Sequence, residues 1–253
     1  MTTDIILLLV GVLVGGMNAI AGGGMLVGFP VLLALGLPAL VANATANIVN
    51  LPGQLASAYG YRGYIRQVPK AYAWLLPPCA LGAGIGAYIL RNTSFDSFER
   101  LVPGLILLAV ILFAFQPLLH FHVHKQLKTG RANNGPLLYI ALALLPLSVY
   151  GGYFSAGFGF VMLAFLGFTN LHDIHKMNAL KNIGASVMAA VSIVVLFSAD
   201  LIDWRRGLVM AAGATIGGYY GSRLALKISS HTIRIIVISI GLATTLYLFL
   251  RQY

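Results

Sequence analysis

Residues 15–24 read GGMNAIAGGG, and residues 151–159 read GGYFSAGFG. The two stretches belong to a longer internal repeat, because residues 43–48 (NATANI) return as residues 178–183 (NALKNI). Gly82 and Gly86 return as Gly217 and Gly221, so the repeat offset is 135 residues, or 136 at its first match. Two copies of an apolar unit interrupted by glycines are typical of membrane transporters built from internal repeats.

The composition around these motifs excludes a soluble protein. Of the 253 residues, 59% are hydrophobic and only 9% are charged, and the mean hydropathy is +0.88. A soluble domain carries about a quarter charged residues. The net charge is +10, but the Lys and Arg residues lie in short clusters between apolar runs, as membrane orientation signals do. We therefore expect an all-α, multi-pass integral protein of the cell inner (plasma) membrane, with the lipid bilayer as its solvent and no nucleic-acid partner.

Six apolar runs approach the length of about 20 residues that a membrane helix needs. Each half also opens with shorter pieces on either side of its glycine motif, residues 5–21 and 25–35 in the first half and 136–150 and 160–168 in the second. We predict a single membrane domain over residues 1–253, with repeat 1 at about 4–119, a loop at 120–135 and repeat 2 at about 136–253. The six runs lie near residues 40–59, 71–90, 101–119, 177–197, 207–226 and 233–250.

The opening element of each half leaves two topologies open. One long kinked helix gives four crossings per half, eight spans and parallel repeats. A broken helix or hairpin, followed by three spanning helices, gives an odd net number of crossings and inverted repeats. Under the positive-inside rule, the better topology is the one that collects more Lys and Arg on one side of the membrane. Inverted repeats put ten on the linker side and five on the other, whereas parallel repeats put nine and six. The rule therefore favours inverted repeats. This plan places the linker in the cytoplasm and both termini outside it.

The glycine breaks are the first candidate site. A glycine inside a helix costs about 1 kcal/mol relative to alanine, and unwound backbone at membrane depth is tolerated only where it is buried in protein or lines a water-filled cavity. Helix N-termini at such a break favour anions. The alternative is close helix packing through small residues, which we expect for the Gly82/Gly86 and Gly217/Gly221 pairs. The candidate substrate-binding residues here are Asn18, Gly22, Gly23, Gly24, Ser155, Gly157 and Gly159.

A polar stripe follows each break. Asn43, Asn47, Asn50 and Gln54 have the i, i+4, i+7, i+11 spacing of one helix face. Polar side chains in a membrane span face the bundle interior, because facing lipid is expensive. We predict that the members shared by both copies line a substrate site and that Asn50 and Gln54 make interhelical hydrogen bonds. The substrate-lining candidates are Asn43, Thr45, Asn47, Asn178 and Asn182.

Lys181 is the strongest single candidate for binding an anionic substrate. It lies about one turn inside its span, and all six acidic residues lie in the N-terminal tail or the loops. A charged amine at membrane depth costs at least ~2.5 kcal/mol, and an anionic substrate would relieve that cost. The alternative is that Lys181 extends to the membrane interface beside Lys176.

Enzyme and metal chemistry find little support in the sequence. The sets His172/His175 and His120/His122/His124 lack enough ligands for a metal site. The chain has one cysteine, Cys79, and no GxxxxGK[ST] motif. We expect no metal, no cofactor and no enzymatic activity, and we rank a membrane-embedded enzyme or assembly factor below a transporter.

The glycine and polar motifs together resemble the TauE/SafE sulfite-exporter family. The resemblance rests on residues 15–38, GGMNAIAGGGMLVGFPVLLALGLP, followed by NATAN, and on residues 151–168, GGYFSAGFGFVMLAFLGF, followed by HKMNALKN. It implies a secondary carrier of a small sulfur-containing oxyanion or organosulfonate, such as sulfite or sulfoacetate, with an anion channel as the alternative. A homodimer and a coupling ion remain open.

Overall fold

A computed structural model describes residues 2–127, 136–167, 169, 171, 173–225 and 230–252. Every regular element in these ranges is helical, so the predicted all-α class is confirmed. Within the predicted loop 120–135, residues 120–127 are helical, and residues 128–135 lie outside the described residues, as does His172. The helices are α1 (Thr2–Ile20), α2 (Met25–Ala34), α3 (Ala39–Gly60), α4 (Arg62–Ile65), α5 (Leu76–Arg91), α6 (Phe95–Leu127), α7 (Pro136–Tyr153), α8 (Phe158–Leu166), α9 (Ile174–Leu196), α10 (Trp204–Leu224) and α11 (Ser230–Gln252), with 3₁₀ turns at Lys70–Leu75 and Phe197–Ala199.

Three helical stretches in the described ranges are both long and apolar enough to cross a membrane: Thr2–Ile20, Lys70–Arg91 and Ile174–Ala199. Helices α3 and α10, with 22 and 21 residues, reach about 30 Å at 1.5 Å per residue. They are more polar because α3 carries the amide stripe and α10 carries three arginines. The chain is therefore a helical membrane protein.

Both glycine motifs interrupt the helices at equivalent places. The chain leaves α1 at Ile20 and α7 at Tyr153, and Gly22 (φ 92°) and Gly157 (φ 101°) adopt left-handed backbone that residues with a Cβ rarely adopt. After the first break α2 packs against α1, since a Cβ on Gly28 would lie 2.9 Å from Cγ2 of Val14.

Helices α1, α3 and α10 form one tightly packed group, here called bundle A. A Cβ on Gly15 would collide with the carbonyl oxygen of Ala214, and a Cβ on Gly217 with that of Val12. A Cβ on Gly53 would lie 3.1 Å from Cβ of Ala214. Contacts between backbones at this distance require glycine. Bundle A combines two helices from the first half with one from the second.

Helices α5, α7 and α9 form the equivalent group, bundle B. A Cβ on Gly86 would collide with the carbonyl oxygen of Val149, and a Cβ on Gly82 would lie 2.6 Å from that of Leu145. A Cβ on Gly184 would lie 3.7 Å from Sγ of Cys79. The close packing predicted for Gly82, Gly86, Gly217 and Gly221 is thus confirmed, and each pair packs against the opposite half.

The order in which residues of neighbouring helices meet shows whether the helices run parallel or antiparallel. In bundle A, Leu8, Val12 and Gly16 meet Gly213, Gly217 and Gly221 in that order, so α1 and α10 run parallel. Helix α3 joins them, with Thr45 near Gly207 and Gly60 near Ser222. The same reasoning makes the helices of bundle B parallel to one another, through the pairs Gly82–Leu145, Gly86–Val149, Cys79–Gly184 and Gly84–Val191.

The two bundles run in opposite directions. Tyr61, just after α3, stacks on His175 in the first turn of α9, with ring centroids 6.3 Å apart. At the other end, the N–H of Asp203, which follows α9 in the chain, donates to Oγ1 of Thr45 near the start of α3 (2.9 Å). We call the end where bundle A begins the Asp4 end and the opposite end the Arg62 end. Most of the buried apolar side chains form two clusters, a larger one that includes much of bundle A and a smaller one that joins bundle B to α8.

Candidate functional site

The two glycine breaks lie against each other where the bundles meet. A Cβ on Gly159 would lie 2.9 Å from both Cα and O of Gly22, so the contact leaves no room for a side chain. Because α2 and α8 both begin at these breaks, their N-termini lie close together.

A small cavity lies at this junction. Residues from the first turns of both short helices bound it, including Met25 of α2 and Phe158 of α8. None of the lining residues is charged. The cavity is lined by Asn18, Gly22, Met25, Asn47, Asn50, Gln54, Gly151, Ser155, Gly157, Phe158, Gly159, Ala185, Met188 and Ala189.

The cavity has an amide wall and an apolar wall. Helix α3 contributes Asn47, Asn50 and Gln54, and α9 contributes Ala185, Met188 and Ala189. The repeat offset of 135 residues pairs Asn50 with Ala185 and Gln54 with Ala189. Equivalent positions of the two copies therefore form the two walls, with opposite polarity.

Asn18 connects the first break to the amide wall. Its Oδ1 accepts from the N–H of Gly24 at the start of α2 (2.8 Å), and its Nδ2 donates to Oδ1 of Asn50 (3.0 Å). The side chain therefore fixes α2 relative to α3. Asn50 keeps two amide protons that it can donate.

Lys181 lies beside the cavity and does not line it. The side chain is 0% exposed, so the alternative in which it extends to the membrane interface is wrong. Its Nζ donates to the carbonyl oxygen of Asn18 (2.6 Å) and to Oδ1 of Asn178 (2.9 Å). The carbonyls of a last helical turn lack partners within the helix and favour a cation, so Lys181 caps the end of α1.

Asn43 does the same at the end of α7. Its Nδ2 donates to the carbonyl oxygen of Tyr153 (2.8 Å), and its Oδ1 accepts from the N–H (3.0 Å) and Oγ (3.3 Å) of Ser155. Tyr153 is the last residue of α7, and Asn18 lies in the last turn of α1. Each helix that ends at a break is thus capped by a side chain from the stripe of the opposite half.

A comparison of the sequence with known protein families agrees with this architecture. The model of the family described as Sulfite exporter TauE/SafE matches residues 7–248. The chain belongs to the TauE/SafE family. The match includes both breaks and both walls of the cavity. The family predicted from the sequence motifs is therefore confirmed.

Curated relatives of this TauE/SafE protein carry transporter names. It is 28% identical to a probable membrane transporter protein of Haemophilus influenzae, over 95% of this chain and 92% of the relative. It is 29% identical to the probable membrane transporter protein ORF9 of a Sinorhizobium species (92% and 87% covered) and 26% identical to the probable membrane transporter protein YfcA of Escherichia coli K12 (93% and 86%). No solved structure gives a significant match.

Within the TauE/SafE fold, the residues predicted from sequence divide into two groups. Asn18, Gly22, Asn47, Ser155, Gly157 and Gly159 line the cavity. Gly23, Gly24, Asn43, Thr45, Asn178, Lys181 and Asn182 do not line it. Thr45 instead accepts the N–H of Asp203. Asn182 is fully buried, and neither atom of its amide has a hydrogen-bond partner in the described part of the chain.

Sequence reasoning missed much of the lining. Asn50 and Gln54 belong to the recognised stripe but were expected to make interhelical hydrogen bonds, and only Asn50 does so. One sequence signal could have indicated the apolar wall: the repeat offset makes Ala185 and Ala189 the equivalents of Asn50 and Gln54. The remaining lining residues outside the prediction are Met25, Gly151, Phe158 and Met188.

Proposed function

We propose that this protein is a secondary transporter that binds a small oxyanion in the cavity between the N-termini of α2 and α8. The observation that carries the proposal is that both helices begin at the same cavity. Each N-terminus presents backbone N–H groups and a partial positive charge, and two that meet favour an anion. The family description makes sulfite the first ligand to test, and the organosulfonates predicted from the sequence motifs come next.

The amide wall supports an anion that also needs hydrogen bonds from side chains. Gln54 is only 4% exposed, and its Oε1 lacks a partner in the described residues. A buried polar atom without a partner is costly and calls for a ligand or a water molecule. The oxygen and nitrogen of such an amide exchange places by a simple flip, so Gln54 can present an N–H to an oxyanion.

A binding experiment tests the proposal directly. Purified protein in detergent is heated with sulfite, methanesulfonate, sulfoacetate or acetate at constant ionic strength, with gluconate as the bulky control anion. A ligand at 100 times its Kd stabilises the folded state by about 2.7 kcal/mol. We expect at least one sulfur oxyanion to raise Tm well above the gluconate value, and equal Tm values for all five anions would overturn the proposal.

Transport follows from binding only if the site opens to both sides in turn. The proposed carrier gives saturable uptake into liposomes, accelerated by unlabelled substrate on the opposite side. Non-saturable flux without this acceleration would identify an anion channel. The chain contains no phosphate-binding GxxxxGK[ST] loop, and we propose that an ion gradient or a partner protein supplies the energy.

The proposed architecture in the inner membrane is a pair of inverted repeats. Support comes from helix directions: α1, α3 and α5 of the first half run opposite to their equivalents α7, α9 and α10. The basic residues Arg62, Arg66, Lys70, Lys176 and Arg223 belong to the Arg62 end, so this end faces the cytoplasm.

Cysteine labelling tests this topology. Single cysteines at Asn133 in the linker and at Gln252 near the C-terminus are exposed in turn to an impermeant maleimide. Inverted repeats place the two positions on opposite sides of the membrane, and parallel repeats place them on the same side. Labelling of both from one side would contradict inverted repeats.

A further inference from the structure

We propose that Asn43 and Lys181 are positioning residues whose contacts form the two gates of the cavity, an inference that rests on the proposed transport function. The Asn43 tie is the set of hydrogen bonds from Asn43 to Tyr153 and Ser155. The Lys181 tie is the bond from Lys181 to the carbonyl oxygen of Asn18.

Both ties cross between the bundles, whereas the glycine contacts between α1 and α10 and between α5 and α7 lie within one bundle. Asn43 on α3 of bundle A holds the end of α7 of bundle B, and Lys181 on α9 of bundle B holds the end of α1 of bundle A. Within each bundle, backbone meets backbone with no room for a Cβ. Hydrogen bonds exchange more readily than such packing, so relative motion of the bundles breaks the ties first.

The ties lie on opposite sides of the cavity. Helix α3 begins at the Asp4 end, and Asn43 precedes the lining residues Asn47, Asn50 and Gln54 on it. Helix α9 begins at the Arg62 end, and Lys181 precedes Ala185 and Ala189. The Asn43 tie therefore closes the path from the Asp4 end, and the Lys181 tie closes the path from the Arg62 end.

The repeat relation strengthens this assignment. Both capped carbonyls belong to the last turn of a helix that ends at a break, and Asn43 and Asn178 are equivalent positions of the two copies. In the first copy the asparagine donates directly to the carbonyl, while in the second Lys181 is inserted between Asn178 and the carbonyl. Equivalent contacts on opposite sides of one site are what alternating access between related halves requires.

Cavity accessibility measures the gates without any substrate. The reporter is Ala185→Cys in the full chain, in right-side-out and inside-out vesicles, with an impermeant methanethiosulfonate as the probe. Exposed marker cysteines at Gln67 and Asn92 identify the Arg62 and Asp4 ends. The protein without a reporter gives the blank, because its one cysteine, Cys79, is buried.

The two variants should act on opposite sides. Asn43→Ala is expected to raise the labelling rate from the Asp4 end by about 10-fold, the worth of one or two lost hydrogen bonds, with the rate from the Arg62 end unchanged. Lys181→Met should do the reverse. Lys181→Gln keeps an amide donor like that of Asn43, so it should restore a rate near that of the unaltered protein.

The remaining outcomes also decide the question. Lys176→Met, which changes a cation on the same helix outside both ties, should leave both rates unchanged. If Asn43→Ala and Lys181→Met raise labelling from both ends equally, they loosen the fold and the gate proposal fails. If the rates shift as expected while no oxyanion stabilises the protein, the gates stand and the proposed substrate fails.

Discussion

Helices α3 and α9 are equivalent copies that form the two walls of one cavity, yet they differ in chemistry. Both keep the asparagine pair Asn43/Asn47 or Asn178/Asn182. One turn further, α3 carries amides at Asn50 and Gln54, where α9 carries alanines. The duplicated Asn43 and Asn178 act next to the helix ends at the breaks. The equivalent positions 50/185 and 54/189 line the cavity and differ, so the two walls present different surfaces to it.

The largest expected effect comes from removing an amide from the polar wall. Gln54→Leu keeps the volume and replaces a buried oxygen that has no partner in the described residues, so stability should hold or rise. Loss of a hydrogen bond to a charged ligand costs about 1.5–3 kcal/mol. We expect oxyanion affinity to fall by about 10- to 150-fold, measured by isothermal titration calorimetry.

A matched control lies on α9. Ser186→Ala also replaces a polar side chain by an apolar one, but Oγ of Ser186 donates to the carbonyl oxygen of Asn182 within its own helix and lies outside the cavity lining. The affinity of the Ser186→Ala variant for the oxyanion should stay within a factor of about two of that of the unaltered protein. Equal losses for the two variants would mean that the walls do not differ in binding.

A second prediction compares the two breaks with an unrelated turn. Gly22, Gly157 and Gly36 all have left-handed backbone, so alanine at any of them costs about 1–2 kcal/mol of unfolding free energy. Only Gly22→Ala and Gly157→Ala should also weaken oxyanion binding, by about five-fold or more, because Gly22 and Gly157 line the cavity and Gly36 does not.

Gly36→Ala is the control for backbone strain, since a Cβ there meets nothing within 4 Å. Chemical denaturation and calorimetry on the three variants separate the two effects. Weaker binding in Gly36→Ala to the same degree would show that general destabilisation explains the loss.

The smallest effect is expected at Thr45, where the sequence predicted a ligand contact. Its hydroxyl accepts the N–H of Asp203 next to the start of α10, and the equivalent position of the second copy is Leu180. Thr45→Val should cost about 1 kcal/mol of stability and leave oxyanion affinity within a factor of two. If Thr45→Val lowers oxyanion affinity more than Gln54→Leu does, Thr45 contacts the ligand as the sequence predicted.

The parts of the site that the sequence could predict are those that depend on residue spacing within a single segment. The glycine runs located both breaks, and the period of the stripe placed Asn47, Asn50 and Gln54 on one helix face, although only Asn47 was predicted to line the site. The roles of Lys181 and Thr45 depend on partners far away in the chain, Asn18 and Asp203. Spacing along one helix cannot reveal such partners. Similarly, Ala185 and Ala189 are ordinary membrane residues until the fold brings them opposite Asn50 and Gln54.

The exchange of helices between the halves has a consequence for how the protein is made. Bundle A cannot form until α10 has been synthesised, about 200 residues after α1. Until then, the glycine surfaces of α1 and α3 lie in the bilayer without the helix that packs against them. Contacts so distant in sequence form slowly. During synthesis the early helices therefore depend on lipid, or on insertion factors, to cover surfaces that the second half covers later.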